Sequence, residues 1–203
     1  MAELYFVRHG LTINNHEGRF NGSQSNPPLL PEGVAQARLL GEYLAKETFA
    51  KAYVSPLQRA QETLNNILLP QTDKPAIEVV DDLQEINFGD WDGLRIDEKQ
   101  QEPEFHNLLH VPEKYNPTAF HGESFFDLAK RVKRFSDSLA YNNDEKYLIV
   151  AHGVTLMTLM QLLKGKTVAD VREAGLLGNT SLSIFESNDG IEFQEKLWNF
   201  TDY

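Results

Sequence analysis

Leu4-Tyr5-Phe6-Val7-Arg8-His9-Gly10 is an apolar run that ends in an arginine, a histidine and a glycine. A second stretch of the same kind, Tyr147-Leu148-Ile149-Val150-Ala151-His152-Gly153, lies far along the chain. Continuous apolar runs of this length read as strands buried on both faces, the pattern of a parallel sheet. Open parallel sheets gather ligands at the carboxyl ends of their strands. Two strands that each deliver a histidine to a glycine turn would therefore bring both imidazoles to one crevice. A histidine ring nitrogen can attack phosphorus, and a guanidinium can grip two phosphoryl oxygens at once.

Working outward, strands alternate with helical patterns, the signature of right-handed βαβ units around a largely parallel sheet. From Pro31 onward, Val34, Ala37, Leu40, Leu44 and Ala45 recur at helical spacing, with Pro31 suited to the first turn. Ala52-Tyr53-Val54 is a short strand; Ser55 is expected to cap the next helix and Pro56 to open it. Arg59 then falls in a first turn, where free amides favour an anion. Ile77 to Val80 reads as a strand, Phe125 to Leu139 as a helix, and a further helix starts near Val154 and runs through Leu163. Leu182 to Phe185 and Phe193 to Leu197 flank Asn188-Asp189-Gly190 as a closing hairpin. The stretch from Asp97 to His121, with Pro103, Pro112 and Pro117, lacks clear periodicity and reads as an inserted cap, where loops carry specificity.

The chain of 203 residues suits one domain with such an insertion, about 95–122, and can bury roughly 70% of its unfolded surface. Thirty acidic against nineteen basic residues give a formal charge of −11, which repels nucleic acid and anionic membranes. No apolar run approaches the roughly 20 residues that span a bilayer, and the N-terminus shows no signal-peptide pattern. With no cysteine there is neither a disulfide framework nor a thiolate metal site. A cytoplasmic enzyme is expected, its cationic residues meeting in a hole suited to a small phosphorylated molecule.

Five blocks in order resemble the histidine phosphatase superfamily, which contains phosphoglycerate mutases and broad-specificity acid phosphatases. They are Arg8-His9-Gly10 with Thr12; Asn15 and Arg19-Phe20-Asn21-Gly22; Leu29 through Ala37, with Leu30 where threonine is usual; Ser55 through Ala60; and Glu85 through Gly89 with Ala151-His152-Gly153. The resemblance implies a three-layer α/β/α sandwich around a mostly parallel sheet. It also implies catalysis by His9, Glu85, Arg8, Arg59 and His152, with Arg8, Asn15, Arg59, His152 and Gly153 binding substrate, and neither metal nor cofactor. His9 attacks the phosphomonoester, Glu85 gives the leaving alkoxide its proton, and water then discharges the phosphohistidine. Nearby arginines keep His9 neutral and its lone pair available.

Three functions compete: a phosphatase; a phosphoglycerate mutase using 2,3-bisphosphoglycerate; and an inactive phosphate-binding module. Mutases need extra cations for the substrate carboxylate, typically an arginine pair in the cap. Between Asp90 and Ser124 this chain has Arg95, Lys99 and Lys114 but no such pair, and Leu11 replaces a residue that is commonly polar in mutases. Hydrolysis of small phosphomonoesters is therefore the expectation, with the oligomeric state left open. Asp81, Asp82, Asp90 and Asp92 compete with Glu85 for the acid role, Asn15 could be a turn residue, and Arg19 reads as structural. His106 and His110 have i, i+4 spacing but lack the glutamate of a zinc-protease helix. Phe105, Tyr115, Phe120 and His121 either line the pocket or form the cap's core; Met157 and Met160 belong to the main core.

Overall fold

The structure, a computed structural model, describes residues 1–139, 141–142 and 144–203. The first strand, β1 (Ala2–Arg8), is followed by the short helix α1 (Ile13–His16) and by α2 (Pro31–Tyr43). Then come β2 (Lys51–Val54), α3 (Gln58–Ile67) and β3 (Ala76–Val79). After them follow α4 (Pro103–His110), α5 (Phe125–Ser138), β4 (Lys146–Ala151) and α6 (Gly153–Leu163). The antiparallel strands β5 (Leu182–Ser187) and β6 (Gln194–Phe200) close the chain.

One six-stranded sheet runs in the order β3-β2-β4-β1-β5-β6. Its first four strands are parallel and its last two antiparallel. Alternation along the strands sorts the core into two layers. Tyr5, Val7, Ala52, Val54, Leu148 and Val150 face α2 and α3, meeting Ala37, Leu40, Leu64 and Ile67. Leu4, Phe6, Tyr53, Ile149 and Ala151 face the other side, meeting Phe125, Leu128 and Val132 of α5 and Leu156, Met157 and Met160 of α6. This is the expected α/β/α sandwich, mostly parallel, and both methionines are core.

One helix start differs from expectation, and the proline-rich segment holds a helix that periodicity did not show. Helix α3 begins at Gln58, not at Pro56, and Leu57 occupies its N-cap position without a side-chain hydrogen bond. Ser55 lies ahead of that position, its Oγ 2.7 Å from His152 Nε2 and accepting from Leu57 N at 3.3 Å rather than from an amide of the helix's first turn. Helix α2, by contrast, begins at Pro31 as expected, after Leu30, which supplies no capping side chain. The proline-rich stretch after Asp97 contains a helix, α4, whose first residue is Pro103, flanked by 3₁₀ turns. Prolines at the first turn start helices rather than break them.

Gly10 and Gly33 meet where α2 packs on the turn after β1. A Cβ on Gly33 would lie 2.5 Å from the Leu11 carbonyl oxygen, and one on Gly10 would lie 2.9 Å from that of Gly33. Close backbone approach, rather than a left-handed conformation, is what requires glycine there. Among the described residues no helix is long and apolar enough to cross a membrane.

Candidate active site

The register of β1 on β4 pairs Arg8 with Ala151, so the next residues of each strand emerge side by side. The amide of His9 extends the ladder to the Ala151 carbonyl at 2.9 Å. The His9 and His152 rings consequently sit 5.1 Å apart between centroids. Both are buried. The sequence-level expectation that the two imidazoles share a crevice is met by this register.

The proton on His9 is assigned by its partner. Nδ1 lies 2.7 Å from the Gly10 carbonyl oxygen, which can only accept, so Nδ1 donates and Nε2 carries the lone pair. Burial holds the ring's proton affinity well below the ordinary imidazole value, and Arg59 and Arg8 push it further the same way. The turn is pinned from two sides: Gly10 N donates to Thr63 Oγ1 at 2.9 Å, and Asn179 Nδ2 donates to the carbonyls of His9 and Gly10 at 3.1 and 3.3 Å.

His152 is also held neutral, first by burial and then by Arg59, His9 and Arg8. Ser55 Oγ accepts from Leu57 N at 3.3 Å and lies 2.7 Å from His152 Nε2, so its own proton is available to that nitrogen. In the tautomer that takes this bond the ring's proton sits on Nδ1, which is buried with no partner among the described residues. Arg8 Nε and Arg59 Nε are in the same condition. Three buried donors around one nucleophilic nitrogen call for an anion with several acceptor oxygens.

The two arginines are oriented differently. Arg59 Nη1 donates to Ser25 O at 2.7 Å, and Nη2 to Asn21 O and Gly22 O at 3.1 and 3.0 Å. It therefore shapes the 21–25 loop with most of its donors and offers mainly its Nε side to a ligand. Burial lowers its proton affinity to about 10, so it stays a cation at neutral pH. Arg8 Nη1 donates to the Leu177 carbonyl.

Glu85 is buried against the start of α6. Its Oε1 accepts from Ile86 N, Thr155 N and Thr155 Oγ1, all within 3.0 Å, while Oε2 accepts from Val154 N at 3.1 Å. Oε2 is thus the freer oxygen. Of the competing carboxylates, Asp82 pairs with Arg134, Asp90 with His121, and Asp92 binds the 22–25 loop. Asn15 is fixed through its carbonyl oxygen, which accepts from Thr12 Oγ1 at 2.9 Å and from Asn21 and Asn179 at 3.4 and 3.3 Å. Its amide nitrogen is left as the donor.

A cavity of about 330 Å³ opens over this group. Arg8, His9, Asn15, Glu85 and Gly153 are on its wall; Arg59 and His152 are fully buried and are not. The cap side is apolar, with Ile96, Phe105, Leu108 and Leu109. Tyr115, Phe120 and His121 do not line the cavity: the two aromatics pack with Phe125 and Trp91, and His121 pairs with Asp90 at 3.0 Å. Arg19 lies on the wall yet pairs with Glu17 at 2.7 Å. The His106 and His110 rings lie 4.9 Å apart between centroids, tilted by 50°, and among the described residues no three His, Asp or Glu side chains are grouped to hold a metal.

Sequence reasoning passed over three residues that matter to the site. Asn179 orients the His9 turn, and Arg172 stands on the cavity wall. Arg131 fixes the Glu85 loop by donating to Asp82 O and Gln84 O at 2.6 and 2.8 Å, itself anchored by Glu123 at 2.7 Å. None of the three stands in a recognisable local motif.

Comparison with known proteins agrees with this geometry. The sequence profile of the histidine phosphatase superfamily (branch 1) matches residues 4–201. The chain is 33% identical over 168 residues to a 2,3-bisphosphoglycerate-dependent phosphoglycerate mutase of Gloeobacter violaceus, covering 80% of this chain and 76% of that one. It is 31% identical over 162 residues to the adenosylcobalamin/alpha-ribazole phosphatase of Salmonella typhimurium, covering 79% of each. Among solved structures, YhfR of Bacillus stearothermophilus superposes with a TM-score of 0.85 at 32% identity, over 98% of this chain and 97% of that one.

Proposed function

Because this chain belongs to the histidine phosphatase superfamily, we propose that it is a metal-independent phosphatase that hydrolyses small phosphomonoesters through a phosphohistidine on His9. The observation that carries this reading is the fixed tautomer of His9 amid buried nitrogens of Arg8, Arg59 and His152 that have no hydrogen-bond partner among the described residues. In the first step Nε2 forms a bond to phosphorus as the ester P–O bond breaks, and Glu85 Oε2–H protonates the departing oxygen. Glu85 then takes a proton from water, whose oxygen attacks phosphorus, breaking the P–N bond and releasing phosphate. The equatorial oxygens gather charge throughout, and the Arg8, Arg59, His152 and Asn15 donors meet that charge without reorganising. A Cβ on Gly153 would lie 3.4 Å from Arg8 Nε, so the glycine leaves that buried donor uncrowded.

Hydrolysis is favoured over mutase chemistry by the cap segment, about 95–122. It lends the cavity only apolar side chains, while Arg95 pairs with Asp97 and Lys99 faces Glu102 and Trp91. A bisphosphorylated intermediate would need further cations there. An inactive binding module has no use for Glu85 held at the cavity wall. A cytoplasmic location is part of the same reading.

The test is a chelator-treated assay of phosphoester hydrolysis beside 3-phosphoglycerate isomerisation with and without 2,3-bisphosphoglycerate. Hydrolysis that survives chelation, with a trapped phosphoenzyme lost in His9→Ala, is the expected result. Isomerisation faster than hydrolysis would overturn it.

A further inference from the structure

Helix α4 carries two histidines that neither the core nor the phosphoryl site uses. His106 and His110 stand one turn apart, and both are exposed. Their ring centroids are 4.9 Å apart, with the planes tilted by 50°. Among the described residues neither ring makes a hydrogen bond or an ion pair, so their nitrogens are open to an incoming ligand. Another face of the same helix is committed to the protein. Leu108 is buried there, and Phe105, Leu108 and Leu109 line the cavity over His9.

The spacing of the rings matches what a shared metal ion demands. An imidazole nitrogen binds such an ion at about 2.0–2.1 Å and lies about 1.1 Å from its ring centre, which puts each centroid about 3.2 Å from the metal. Tetrahedral to square angles at the ion then hold the two centroids about 4.5–5.2 Å apart. The observed 4.9 Å falls inside that range. Neutral imidazole suits copper, nickel and zinc rather than the hard ions magnesium and calcium, and affinity peaks at Cu²⁺. A formal charge of −11 draws cations toward the surface. We propose that His106 and His110 form a two-imidazole site for a late first-row divalent ion, Cu²⁺ foremost, with water completing its coordination. The ion ties together two residues one turn apart in a helix of eight residues. Helices that short are marginal by themselves. Its effect is therefore to hold α4 helical, and with it the wall that Phe105, Leu108 and Leu109 present to the cavity. The site takes no part in phosphoryl transfer, so its failure leaves the phosphatase reading untouched, and chelator-resistant hydrolysis is compatible with it.

Titration calorimetry with Cu²⁺, Ni²⁺ and Zn²⁺, in a buffer that does not bind metals, reads the site without any substrate. One Cu²⁺ should bind per chain, more tightly than Ni²⁺ or Zn²⁺. His106→Asn and His110→Asn should each weaken it about 10²-fold, because the second imidazole of a chelate acts at a high effective concentration. His121→Asn, which removes the exposed histidine beside Asp90, should leave it unchanged. The paramagnetic resonance spectrum of the Cu²⁺-loaded protein should show splitting from two imidazole nitrogens, and amide exchange in α4 should slow when the ion is bound. Affinity unchanged in the His106→Asn/His110→Asn double variant, or lost in His121→Asn instead, overturns the site. So does Cu²⁺ held by a single nitrogen, a measurement that needs no variant. A bound ion that leaves exchange in α4 unaltered overturns the clamp.

Discussion

Lowering the pH from 7.5 to 5.5 should expose the burial of the two histidines as a loss of stability. His9 and His152 are both held neutral well below the ordinary imidazole value, chiefly by burial and then by the two arginines. In the unfolded chain each regains a proton affinity near 6.5. Below that value the unfolded state binds protons that the folded state refuses, so stability is full above 6.5 and declines as the pH falls. With the folded rings silent, each contributes a loss of about 1.4 kcal/mol between pH 7.5 and 5.5, up to about 2.7 kcal/mol together. Urea unfolding at pH 7.5, 6.5 and 5.5 reads the loss directly. His9→Gln should remove about half of the pH-dependent part, and the double His9→Gln/His152→Gln variant nearly all of it. In parallel, ¹⁵N spectra of labelled histidine should report Nδ1–H and a bare Nε2 for His9 across the range. Equal pH slopes in wild type and double variant, or either ring titrating near 6.5, would refute the assigned environment and the ready nucleophile with it.

Other consequences follow from single contacts. Glu85→Gln should slow turnover about 10²- to 10⁴-fold, most for esters with poor leaving groups; an equal loss on good and poor ones would take the acid role from Glu85. Gly33→Ala places a methyl 2.5 Å from the Leu11 carbonyl oxygen and should cost about 1–3 kcal/mol in thermal unfolding, with kcat falling because the His9 turn shifts. Arg131→Met strands Glu123 and frees the Glu85 loop, costing about 3 kcal/mol. Its kcat should drop more for poor leaving groups, a dependence that simple destabilisation would not produce.

Much of this was legible in the chain because the informative patterns were local. Leu4–Val7 and Tyr147–Ala151 are apolar on both faces, which is what central parallel strands between two helical layers require. Once they are neighbours, the pairing of Arg8 with Ala151 puts His9 beside His152. What stayed hidden depends on contacts between distant residues. Ser55 reads as a helix cap from its neighbours, but the hydroxyl belongs to His152, 97 residues away. Asn179 reaches the His9 carbonyl over 170 residues, and Arg172 reaches Leu108 over 64. Helix α4 is an intermediate case. Phe105, Leu108 and Leu109 do have helical spacing, yet eight residues bounded by prolines give too short a window for periodicity to show.

The partners chosen by the arginines separate scaffold from site. Arg19, Arg95, Arg131 and Arg134 are each paired with a carboxylate, which cancels their charge. Arg8, Arg59 and Arg172 are instead held by neutral backbone carbonyls, of Leu177, of the 21–25 loop and of Leu108. A carbonyl fixes the geometry of a guanidinium and relieves part of its desolvation while leaving its positive field intact. A carboxylate in the same place would fix the geometry equally well and abolish the attraction for a dianion. In a chain with a formal charge of −11, carboxylates are abundant. That fully buried Arg59 and half-buried Arg8 are held by carbonyls instead is what a site receiving an anionic group requires.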